Sequence, residues 1–74
     1  MKEVYMYETT DIYCATTLHA LGYPVLDIYG DTKKVFVFDA GVQDVVDDYF
    51  QGKLLVDPNK LFFSFKTMKQ RIYA

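Results

Sequence analysis

Tryptophan is absent from this chain of 74 residues, and cysteine occurs once, at Cys14. A single thiol excludes an internal disulfide and a thiolate metal cluster, as expected of a protein kept in a reducing compartment. The four glycines, at 22, 30, 41 and 52, stand apart from one another, so there is no phosphate-cradling loop. With one histidine and no serine-centred elbow, nothing fills nucleophile, base and oxyanion roles together; a non-enzyme without cofactor or metal is expected. No apolar run approaches the roughly 20 residues of a membrane span, and the opening Met1-Lys2-Glu3 has no apolar stretch behind it. A soluble cytoplasmic protein is therefore expected. Ten acids against eight bases leave a net charge of −2, too small to argue for or against nucleic acid.

What is present is apolar and aromatic. Hydrophobic residues make up 51% of the chain and aromatic residues 18%, more than one small core of this length hides. Self-association, as a homodimer, is the expected use of the remainder. A single domain over residues 1–74 is expected, with no repeat, linker or low-complexity tract.

Lys2 to Tyr7 alternates like a short strand, with Val4 and Met6 on one side and Tyr5 and Tyr7 on the other. Thr9, Thr10 and Asp11 can each cap a following helix. That helix spans Thr10 to Leu21, with Cys14, Ala15, Leu18 and Leu21 on one arc, Gly22 as its stop and Pro24 beyond. Val25 to Tyr29 and Lys34 to Asp39 read as two more strands around a Gly30-Asp31-Thr32-Lys33 turn. Val35 to Phe38 is apolar on both faces and belongs in the middle of a sheet. A right-handed crossover then gives order 1-3-2, with the third strand antiparallel between the others. Asp39 caps a second helix whose buried stripe is Val42, Val45, Val46, Tyr49 and Phe50. Asp57-Pro58 opens a third helix running to about Ile72, with Leu61, Phe65, Met68 and Ile72 inward and Phe62 and Tyr73 at the edge. The expected fold is α+β, βαββαα, a three-stranded mixed sheet with the helices mainly on one face.

Candidate functional residues follow from what this fold leaves over. Cys14 and His19 are five positions apart and would not face each other; both read as structural. Asp44, Asp47 and Asp48 share a solvent face and suit either solubility or a basic partner, such as a nucleic-acid-binding host protein. Phe63 is the one large apolar side chain with no place in the core. Lys60, Lys66, Lys69 and Arg71 sit on two sides of the last helix, which permits nucleic acid without indicating it. Tyr5, Tyr7 and Tyr29, with Val25, Val35 and Val37, are expected on one open sheet face, as a dimer contact or an intersubunit ligand cleft.

Tyr7-Glu8-Thr9-Thr10-Asp11, Tyr13, Ala15, Leu18, Ala20-Leu21-Gly22-Tyr23, Val35-Phe36-Val37-Phe38-Asp39, Tyr49, Lys66, Lys69 and Tyr73 together resemble a family of short phage, prophage and bacterial proteins. No activity is assigned to that family, so no functional residue carries over. Cys14 departs from it where a larger aliphatic residue is expected. The resemblance implies a viral protein that works by binding, such as an inhibitor of a host defence protein acting in the host cytoplasm. A nucleotide-signal sequestering oligomer and a nucleic-acid-binding accessory protein are the alternatives.

Overall fold

The structure, a computed structural model, describes residues 6–73. Its order is β1 (Met6–Thr9), α1 (Ile12–Ala20), β2 (Asp27–Tyr29), β3 (Val35–Asp39), a single 3-10 turn (Ala40–Val42), α2 (Gln43–Phe50) and α3 (Pro58–Tyr73). This is the expected α+β order, with the strands arranged 1-3-2. Both pairings are antiparallel, so the sheet is wholly antiparallel and not mixed as expected: the two strands that run the same way, β1 and β2, are separated by β3 and never pair. Tyr5 and the start of the first expected strand lie outside the described residues.

The central strand earns its place by having two apolar faces. Phe36 and Phe38 point into the core and are fully buried, while Val35 and Val37 lie half-buried on the other side. The register sets which face each outer strand presents. Tyr7 stands opposite Phe38 and Ile28 opposite Phe36, so both join the core face. Glu8 and Asp27 stand opposite Val37, and Tyr29 opposite Val35, on the open face.

Asp11 is the residue that caps α1. Its carboxylate accepts from the amides of Tyr13 and Cys14 at 2.9 and 3.3 Å, and Thr9 Oγ1 accepts from the Asp11 amide. The helix closes where Gly22 takes φ of 100°, which lets the Tyr23 amide reach back to the Leu18 carbonyl at 3.1 Å. That is the left-handed glycine stop, and it delivers Tyr23 against the core.

Five consecutive α1 residues, Cys14 to Leu18, are buried. One face of a helix cannot account for that; α1 is flanked by the sheet, α2 and α3, with α3 lying chiefly against α1. Small side chains at Cys14 and Ala15 permit the close approach. Leu21, expected on the buried arc, is instead the C-terminal cap and partly exposed. Asp39 caps the 3-10 turn, accepting from the Gly41 amide at 2.9 Å, and α2 follows from that turn. Asp57 caps α3 through the Asn59 amide at 2.8 Å, with Pro58 at the first helical position.

Two neighbouring threonines of α1 give opposite predictions. Thr17 Oγ1 donates to the Tyr13 carbonyl at 2.8 Å, whereas Thr16 Oγ1 is buried without a partner among the described residues. Valine keeps the branched shape in both cases. Thr16→Val is expected to raise the unfolding free energy by about 1 kcal/mol and Thr17→Val to lower it by about 1 kcal/mol, read from urea unfolding midpoints.

Candidate functional site

A concavity lies on the outer face of α3. It is a shallow groove of about 620 Å³ lined by Phe62, Phe65, Lys66, Lys69, Gln70 and Tyr73. These positions recur at three- and four-residue steps, so one helix supplies the whole strip. Phe65 is the hinge between inside and outside: its ring takes the edge of Tyr13 at 5.8 Å and carries the Lys69 ammonium at 5.6 Å from its centroid. Phe62 and Tyr73 are 68% and 80% exposed.

This corrects the expected orientation of α3. Its buried line is centred on Ser64 and Met68, with Leu61, Phe65 and Ile72 only half-buried beside them, so Phe62 and Tyr73 leave the core edge for solvent. The centre falls on a serine because His19 meets it: His19 Nδ1 and Ser64 Oγ are hydrogen-bonded at 2.8 Å, tying α1 to α3. A hydropathy pattern gives a polar residue no weight toward the core, so Ser64 was invisible to it. Phe63 does point away from the core, but outside the groove. Lys66 and Lys69 line the groove while Lys60 and Arg71 do not, as the helical spacing implies.

Asp44, Asp47 and Asp48 occupy the exposed face of α2. Asp47 accepts from Gln43 Nε2 at 3.1 Å. Among the described residues, no group of three His, Cys, Asp or Glu side chains could hold a metal ion. Phe50, expected in the stripe of α2, is 65% exposed and lies in a T-shaped pair with Tyr49.

The expected tyrosine face is divided by the pleat. Tyr7 is on the core side, with its hydroxyl 4.0 Å from Cys14 Sγ, and Val25 also packs on the core. Tyr29, Val35 and Val37 do share the open face, and Tyr29 donates its hydroxyl proton to the Glu8 carboxylate across β3. A recess of about 380 Å³ beside this pair is lined by Glu8, Thr9, Thr10, Tyr29 and Val35. Tyr7 therefore does not share the open face with Tyr29, Val35 and Val37 as expected.

Ionisation reports the same division. Burial pushes the Cys14 thiol above its ordinary value, and burial raises the Tyr7 and Tyr49 hydroxyls. The hydrogen bond to Glu8 is the main cause that raises Tyr29. Among the described residues, no helix is long and apolar enough to cross a membrane. Comparison with protein-family models, curated proteins and solved structures gives no match.

Because these groups ionise later in the folded protein, the unfolded chain releases their protons first as pH rises. Their contribution to stability is whole below the ordinary thiol value of 9.0 and is lost as pH climbs through the raised values. Urea unfolding midpoints are therefore expected to fall from pH 8.5 upward to 11. In Cys14→Ala the early part of that fall should be shallower, leaving the steeper tyrosine part above pH 10.0.

Proposed function

We propose that the protein is a small non-enzymatic interaction protein that works by surface binding, with the outer face of α3 as its contact surface. The observation that supports this best is the groove itself: aromatic rings left largely in water beside two lysines along one helix face. Aromatic rings held on a rigid helix are frequent anchors of a protein contact. The resemblance to short phage and prophage proteins makes a host protein, including a defence protein, the natural target. Asp44, Asp47, Asp48 and Phe63 offer further contact area outside the groove.

A second reading rests on the interleaving of Phe62, Phe65 and Tyr73 with Lys66 and Lys69. Bases stack on such rings while the ammoniums meet phosphates, so single-stranded nucleic acid is its ligand. Nucleotide sequestration by an oligomer has less support, since the recess beside Tyr29 presents the Glu8 carboxylate and no cation to a phosphate.

The test is photo-cross-linking in living bacteria, with a photoreactive residue at position 62 or 70 and a control in the β2–β3 turn at position 32. Protein adducts specific to the α3 positions are expected. Equal labelling at all three positions would remove the interaction reading. Adducts to nucleic acid alone would replace it with the second.

A further inference from the structure

Charge is segregated along this molecule. Helix α3 holds half of the eight cations and none of the ten carboxylates. Among the described residues, no lysine or arginine is paired with a carboxylate. The cationic and anionic surfaces are therefore both free to meet something of opposite sign.

The geometry points to a second copy of this chain as the occupant of the α3 groove, bound through the acidic outer face of its α2. This rests on the reading of α3 as a contact surface and names what it contacts. Two α3 helices cannot serve each other. Antiparallel pairing about a two-fold axis would bring Lys66 and Lys69 of both copies together at the centre, with like charges opposed. The groove needs carboxylates and an apolar side chain on one ridge.

The chain offers two acidic surfaces, and their hydrogen bonds distinguish them. On and beside the open sheet face, Glu8 is held by Tyr29, Asp27 accepts from the Ile28 amide at 2.8 Å, and Asp39 from the Gly41 amide at 2.9 Å. On α2, Asp44 and Asp48 have no hydrogen-bond partner among the described residues, and Asp47 has only the exposed Gln43 amide. Phe50 stands one turn on from Asp47. Its ring can enter the groove at the Phe62 end while Asp44 and Asp47, three residues apart, meet Lys69 and Lys66, also three apart. Every copy carries both halves, so a two-fold pair makes the contact twice. A nucleic acid in the same groove would leave the unpaired carboxylates of α2 without a partner, whereas a second copy uses both surfaces.

The test is sedimentation velocity of the full chain with paired charge reversals, each checked for native circular dichroism. The unaltered protein is expected to be dimeric at low ionic strength and to dissociate toward monomer in about 0.5 M salt. Lys66→Glu with Lys69→Glu, and separately Asp44→Lys with Asp47→Lys, are each expected to be monomeric, and an equimolar mixture of the two to restore the dimer. Should a reversal fail to fold, Lys66→Gln with Lys69→Gln or Asp44→Asn with Asp47→Asn replaces it, and loss of the dimer is the expected result. A monomeric unaltered chain overturns the inference, as does a dimer indifferent to the α2 reversal or a mixture that stays monomeric. A monomer that retards single-stranded oligonucleotides in a Lys66- and Lys69-dependent way overturns it in favour of nucleic acid. A monomer whose α3 still cross-links to a foreign protein overturns this inference alone and leaves the function proposed above standing.

Discussion

The packing of α1 on Phe36 and Phe38 is the constraint on which everything else rests. A chain this short has little apolar area to hide, and it hides it by wrapping one short helix on several sides. Cys14, Ala15 and Leu18 share one buried cluster with the two phenylalanines of β3, and Val42, Val46 and Met68 join it from the 3-10 turn, α2 and α3. Small residues on α1 make this possible, because a larger side chain at Cys14 or Ala15 would push a neighbouring element away. The arrangement also explains the buried threonines, which are the cost of surrounding a nine-residue helix that has hydroxyls on its flank.

Once α1 is surrounded, α3 has only one side left to bury. Ser64 and Met68 fill it, and the outer aromatics have no inner surface to reach. The exposed groove is thus a geometric consequence of how much helix the chain carries relative to sheet. Sixteen residues of α3 lie beside nine of α1, and the three-stranded sheet is too small to cover the excess. An apolar strip so placed is either tolerated in water or covered by a partner, and the two lysines beside it lower the cost of leaving it in water.

Much of the fold was legible in the residues. The two-faced run Val35 to Phe38 identified the central strand, and Gly22, Pro24, Asp57 and Pro58 marked helix ends within two residues of where they fall. These signals are local, fixed by φ preferences and alternation, and tertiary context had no reason to override them. The faces were less legible. Tyr7 was placed on the wrong side of the sheet because facing depends on which partner residue it opposes, and β1 pairs so that Tyr7 meets Phe38. The outward turn of Phe62 and Tyr73 depended on Ser64, whose reason to be inside is a histidine 45 positions away. Asp44, Asp47, Asp48 and Phe63 lay exposed as their helical phase implied, whereas the groove that collects Phe65, Lys66 and Lys69 emerged only with the rotation of α3.

The sheet itself has one further consequence. β2 is a border strand of three residues, with Pro24 shortly before it and Gly30 directly after it, and the Leu26 amide is already turned inward to the Val37 carbonyl. A foreign strand laid along that border would find only a three-residue run to pair with, preceded by a ring nitrogen that has no proton to give. Ribbon-wise growth, the route by which small sheet proteins become fibres, has only a short template on that flank of the molecule.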